Sequence, residues 1–283
     1  MYPIIFDFGL VDIFGFQFHL AIYSFGLMMV IAFYTCYFLL NYDLKRMGHD
    51  EKLASDMVFW AAFGGIVGSK IYHLLENLDQ VLASPNPWSM IFSGSGLVFL
   101  GGLMGGTLAV TLLLRKNKLP WLRFADLVAP LLILGYGIGR IGCFLVGDDY
   151  GVPTNLPWGM KFSNGLPPST SGTFTMQFPW VDISSFDSGV LAVHPTQLYE
   201  AFICTAIFLF LWNRRLEIKV YGNLFFLYLI FAGAERFFIE FIRTNEKYLL
   251  DIFSGSQVIS IIMIIIGLYL FNNPIIGGNS DTS

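Results

Sequence analysis

Gly139-Arg140-Ile141-Gly142-Cys143-Phe144-Leu145-Val146-Gly147-Asp148-Asp149-Tyr150-Gly151 closes an apolar run that begins at Leu127. The run Leu127–Val146 is about 20 residues long, enough to cross the hydrocarbon core of a bilayer. An arginine inside such a span is costly and faces the protein interior or a ligand rather than lipid. Arg140 stands six residues from the outer end of its span, about 9 Å deep at the rise of an α-helix.

The composition agrees with a membrane reading. Of 283 residues, 55% are hydrophobic and 13% charged, with a mean hydropathy of +0.64. Soluble domains carry roughly 25% charged residues. The predicted fold is an all-α integral membrane protein with seven transmembrane helices: His19–Leu40, Asp56–Glu76, Leu97–Leu114, Leu127–Val146, Gln197–Trp212, Leu224–Ile242 and Gln257–Phe271. The first span shows no cleavage signal and is expected to stay in the mature chain. Lys45, Arg46, Lys52, Arg115, Lys116, Lys118, Arg123, Arg214, Arg215 and Lys219 fall in alternate connectors, against Lys161, Arg243 and Lys247 in the others. By the positive-inside rule the N-terminus is outside and the C-terminus inside.

The fourth connector, 147–196, is rich in Gly, Pro and aromatics, and is expected to form a small irregular periplasmic cap with short strands. The whole chain, 1–283, reads as one transmembrane domain with that insertion and a flexible cytoplasmic tail, 272–283. Cys36, Cys143 and Cys204 lie in apolar segments without metal-ligand spacing and read as packed thiols.

A second set of charges lies downstream. Arg236, Glu240 and Arg243 fall at i, i+4 and i+7, on one helix face. Arg236 is about 10 Å and Lys70 about 9 Å from the outer end of their spans, and Glu200 enters just inside the fifth. Lys70, Arg140, Arg236 and Arg243 thus share a depth with Glu200, Glu235 and Glu240. Two readings stay open: a closed internal network of ion pairs, or a site for an anionic ligand. Planar guanidinium forks bind phosphate bidentately. Gly135, Gly137, Gly139 and Gly142 make room for close helix packing or a head group. His19, His73 and His194 fall at outer span ends, where a proton acceptor near neutral pH is to be sought.

The motif at 139–151 resembles the signature of bacterial prolipoprotein diacylglyceryl transferases. His194-Pro195-Thr196-Gln197-Leu198-Tyr199-Glu200 resembles that family's histidine-proline motif, Arg236-Phe-Phe-Ile-Glu240-Phe-Ile-Arg243 its late Arg/Glu/Arg helix, and Gly101-Gly102-Leu103-Met104-Gly105-Gly106 its third-span glycine motif. The resemblance implies an enzyme of the bacterial cytoplasmic (inner) membrane, facing the outer leaflet. Its partners are phosphatidylglycerol, the lipobox cysteine of a preprolipoprotein signal peptide and membrane lipids. It needs no metal or cofactor, and nucleic acid plays no part. By carry-over, Arg140 and Arg236 hold the phosphate, Glu240 orients Arg236, Arg243 lies nearer the entrance, and Asp148 and Gly151 occupy signature positions. Lys70 joins the phospholipid-binding set by its depth, and His194 joins Arg140, Arg236 and Glu240 as a candidate for the catalytic step.

Three positions depart from the pattern. Leu100 stands where many members have His or Tyr, Val146 replaces the signature asparagine, and Phe25 stands where tyrosine is frequent. With Leu100 unable to accept a proton, either His194 or His73 serves by position, or the thiol ionises in the arginine field. The alternative function is a non-catalytic phospholipid-binding or lipid-handling protein on the same fold. A transporter is a weaker third reading, because repeat symmetry and broken helices are absent from the sequence. Trp88, Trp158 and Trp180 read as interfacial anchors, Asp126 as a helix cap or partner of Arg123, and the third-span glycines as helix packing before substrate clearance.

Overall fold

The computed structural model describes residues 1–13, 16–83, 98–247 and 253–273. In chain order the elements are β1 (Ile4–Ile13), β2 (Phe16–Tyr23), α1 (Ser24–Arg46), α2 (Glu51–Glu76), α3 (Leu78–Ala83), α4 (Phe99–Lys116), α5 (Trp121–Val146), β3 (Met160–Lys161), α6 (Ser171–Gln177), β4 (Ala192–Val193), α7 (Thr196–Arg214), α8 (Asn223–Ile239), a 3-10 turn (Glu240–Ile242) and α9 (Gly255–Asn272). Among the described residues α1, α2, α4, α5 and α9 are long and apolar enough to cross a membrane. Large apolar side chains such as Phe59, Ile66, Leu103, Leu112 and Ile265 are exposed along them, which is the surface that lipid covers. The protein is a mostly helical, multi-pass membrane protein.

The N-terminus differs from expectation. The span predicted from His19 starts at Ser24, and the residues before it form an antiparallel hairpin in which Ile4 pairs with Tyr23 and Ile13 with Phe16. β-branched and aromatic residues favour such pairing, and their apolar character alone is indistinguishable from the start of a span. A register shift falls between Asp7 and Gly9; Gly9 takes φ +76 and its N–H donates to Asp7 Oδ1 at 2.8 Å. The Ser24 N–H donates to the Pro3 carbonyl at 3.0 Å where the helix starts. Trp88 and the tail beyond Asn273 lie outside the described residues.

The chain divides into two compact units, Cys36–Phe124 and the remainder, Met1–Thr35 with Ala125–Ser283. In the first, α2 and α4 pack backbone to backbone. A Cβ on Gly105 would lie 2.2 Å from the Gly64 carbonyl oxygen, and one on Gly101 2.5 Å from that of Gly68. The third-span glycine motif is therefore packing, of the small-residue kind that joins helices in membranes. Lys70 and Leu100 belong to this unit.

In the second unit, Ile133 of α5, Cys204 and Leu211 of α7 and Leu224 of α8 form one core. Asp126 caps a different helix from its own: its carboxylate accepts from the N–H of Gly222 at 2.6 Å and of Phe225 at 2.9 Å. Those are orphan donors of the first turn of α8, and Gly222, its N-cap, has no side chain to serve them. The 147–196 insertion between α5 and α7 has its own core of Tyr150, Phe162, Phe174, Leu191 and Val193. The expected short strands are present there, with Met160 opposite Val193.

Candidate functional site

Tyr136 and Arg140 sit one turn apart on α5 and meet on the same face, with the Tyr136 hydroxyl 2.9 Å from Arg140 NH2. Beyond Val146 the chain reverses through two left-handed residues, Gly147 at φ +77 and Asp149 at φ +58. Aspartate tolerates that conformation better than most side chains. The first turn of α7 holds the reversal: Thr196 Oγ1 donates to the Asp149 carbonyl at 2.8 Å, and Gln197 Nε2 to that of Asp148. The Asp149 carboxylate is thereby carried back to Arg140 NH1, at 2.7 Å.

One turn further along α7, Glu200 is fully buried and collects the arginines. Arg140 Nε lies 2.7 Å from its Oε2 and Arg243 NH1 3.1 Å from its Oε1, and the Tyr136 hydroxyl donates to Oε2. Arg243 also reaches Asp149 Oδ1 at 2.9 Å. It arrives from an extended residue after the 3-10 turn, bridged to Gly151. Glu240 pairs with Arg236 at 2.9 Å, the i, i+4 contact expected from the spacing, and accepts from Asn245 and Ser254 at 2.7 Å each.

Three guanidinium groups thus face three carboxylates, Asp149, Glu200 and Glu240. Much of the internal network left open at the sequence level exists. The arginines are unequal within it. The side chain of Arg243 is 6% exposed, that of Arg140 12% and that of Arg236 23%. Arg243 is the most enclosed of the three, where the sequence reading set it nearer the entrance; its pairs with Asp149 and Glu200 draw it inward. Arg236 NH1 is 3.9 Å from Glu200 Oε2 and makes no hydrogen bond. Arg243 Nε is likewise buried without a hydrogen-bond acceptor among the described residues. Such donors cost about 1–3 kcal/mol each when unfilled. An anionic oxygen is the acceptor that suits them best.

The other expected residues divide. Asp148 lies beside the cluster, but its Oδ1 is buried without a hydrogen bond, and Asp149 makes the ion pairs instead. Burial, and then the neighbouring Asp149, push the Asp148 carboxyl up to about 6. Burial would raise Asp149 too; Arg243 and Arg140 outweigh it and hold that carboxyl below its usual range. Gly151 is a packing position, since a Cβ there would lie 2.4 Å from the Ile242 carbonyl and 2.9 Å from His194 Cβ. The His194 ring has Nδ1 3.4 Å from the Tyr199 hydroxyl and is held below its usual pKa by burial. Lys70 lies on α2, in the unit Cys36–Phe124. Sequence reasoning missed Tyr136 and Asp149. The i−4 spacing from Arg140 signals the first; the second depends on a chain reversal with no sequence period.

The family model for prolipoprotein diacylglyceryl transferase matches residues 13–272. A Clostridium tetani protein named phosphatidylglycerol–prolipoprotein diacylglyceryl transferase is 33% identical over 257 residues, covering 90% of this chain and 94% of its own. A Clostridium perfringens protein named phosphatidylglycerol–prolipoprotein diacylglyceryl transferase 2 is 32% identical, covering 96% of each chain. A Chlorobaculum tepidum protein with the first of these names is 34% identical over 88% of this chain and 84% of its own. With the match running through both arginine-bearing helices and the insertion between them, the chain belongs to the prolipoprotein diacylglyceryl transferase family.

Proposed function

We propose that this protein transfers the diacylglyceryl group of phosphatidylglycerol to the thiol of a lipobox cysteine in a preprolipoprotein, forming a thioether and releasing glycerol phosphate. The observation that carries this reading is the Arg140–Arg236–Glu240 arrangement, with Arg236 NH1 buried and lacking an acceptor. The sulfur attacks the glyceryl carbon that bears the phosphate ester. The C–O bond breaks and its electron pair leaves on a phosphate oxygen. Arg140 and Arg236 stabilise that developing charge with fixed donors, Glu240 holds the Arg236 fork in place, and Arg243 positions Asp149 and Glu200.

In this reading α7 and α8 complete seven spans, the N-terminus is outside, residues 147–196 cap the periplasmic face and residues 272–283 are cytoplasmic. The bias of ten basic residues in one set of connectors against three in the other supports that orientation. The site then opens to the outer leaflet of the inner membrane.

A second reading, a non-catalytic phospholipid-binding protein on the same fold, is favoured by one feature: Leu100, which can neither accept a proton nor hydrogen-bond a head group. Purified protein, radiolabelled phosphatidylglycerol and a lipobox peptide separate the two. Label on the peptide that disappears with Arg140→Ala establishes transfer. Arg140-dependent lipid binding without transfer establishes the second reading.

A further inference from the structure

Besides Asp148, a second carboxylate stands outside the ion pairs described above. Glu235 precedes Arg236 on α8 and is 6% exposed. Its Oε1 is buried without a hydrogen-bond partner among the described residues. The charged groups acting on it are Glu200 of α7, Arg140 of α5, and Arg236 and Arg243, and each is already engaged in the ion pairs of the cluster. Glu235 also lines a groove of about 370 Å³ between α7 and α8, against Ile203, Ile207, Phe231, Ala234 and Phe238. Among the described residues it is the only ionisable side chain in that lining.

A buried carboxylate without a partner is costly, and taking up a proton removes the cost. Displacement of phosphate by a thiol needs a proton acceptor within reach of the sulfur. Guanidinium groups only donate, Asp149, Glu200 and Glu240 are held by arginines, and neither Asp148 nor His194 lines the groove. The apolar walls suit the apolar segment that a secretory signal peptide carries ahead of its cleavage region.

We propose that Glu235 is the general base that takes the proton of the acceptor cysteine, whose peptide segment enters along this groove. The inference rests on the transferase reading. In the step, the S–H proton passes to the Glu235 carboxylate, the sulfur pair forms the C–S bond, and the C–O bond breaks with its electrons going to the phosphate. Glu235 then gives its proton to the departing phosphate monoester.

The test uses the full chain in detergent with phosphatidylglycerol and two lipobox peptides, one with cysteine and one with selenocysteine, whose selenol is ionised at neutral pH. Glu235→Gln is expected to lower kcat on the cysteine peptide by about 100-fold or more, and to leave kcat on the selenocysteine peptide within about threefold of the wild type, since that nucleophile needs no base. Glu235→Leu, which removes the buried charge altogether, carries the same expectation should the glutamine variant fail to fold. Equal losses on both peptides, or no loss on cysteine, overturn the proposal. So does selenocysteine rescue of His194→Gln in place of Glu235→Gln. A wild-type protein inactive on both peptides sinks the transferase reading itself, and the base with it.

Discussion

Asp149 bridges two arginines that reach it from different segments, α5 and the extended chain after the 3-10 turn: Arg140 NH1 lies 2.7 Å from its Oδ2 and Arg243 NH2 2.9 Å from its Oδ1. The bridge depends on the reversal at Gly147 and Asp149, which turns the end of α5 back on itself. It joins α5 to the segment after α8 without a long connection between them. Removing the charge is therefore expected to loosen both arginines at once.

Asp149→Asn should lower the thermal midpoint of the detergent-solubilised protein, with a loss of about 1–2 kcal/mol. That is less than for a fully buried bridge, because the Asp149 side chain is 44% exposed. The same substitution at Asp148, which makes none of these ion pairs, should not lower the midpoint at neutral pH. Thermal unfolding of the two variants side by side checks the contrast.

The two neighbours also respond to acid in opposite senses. Asp149 has a folded-state pKa below its unfolded value of about 4. Its contribution is present above that value and is lost as the pH falls through the folded pKa. Asp148 is raised to about 6, so between about 4 and 6 the folded state binds the extra proton, and stability falls as pH rises through that window. Asp148→Asn should flatten the stability profile between about pH 4 and 6 while leaving the acid limb below about 4 in place. Unfolding midpoints measured across that range report both.

Arg236 and Arg243 should separate function from stability. Arg236→Ala removes the most exposed guanidinium of the cluster and is expected to cut diacylglyceryl transfer by about 100- to 1,000-fold with little change in thermal midpoint. Arg243→Ala leaves Glu200 and Asp149 short of a positive charge and should destabilise the fold by about 3–5 kcal/mol. Transfer assays paired with thermal unfolding distinguish the two outcomes.

Gly151→Ala is expected to fail on packing. Its Cβ would lie 2.4 Å from the Ile242 carbonyl and 2.8 Å from Thr196 Cγ2. Relief must displace the segment that delivers Arg243, so stability should drop by about 1–3 kcal/mol and lipid binding should weaken with it. Phosphatidylglycerol binding to the folded fraction of the variant is the measurement.

Much of this was open to a reader of the chain. Long apolar runs with few charges have one stable environment, and an arginine or glutamate inside them must face something polar; that logic located Arg140, Arg236, Glu240 and Arg243 on composition and helical spacing. The i, i+4 pair of Arg236 and Glu240 follows from a local period and appears as expected, at 2.9 Å. The hairpin at Ile4–Tyr23 was not legible, because an apolar segment of that length has the same composition whether it pairs as strands or starts a span. The ion pairs of Asp149, the cross-helix cap from Asp126 to Gly222 and the enclosure of Arg243 by Glu200 could be decided only in three dimensions. Each depends on a left-handed turn or on two helices distant in sequence meeting. Contacts of that kind are chosen by how whole elements pack and carry no period along the chain.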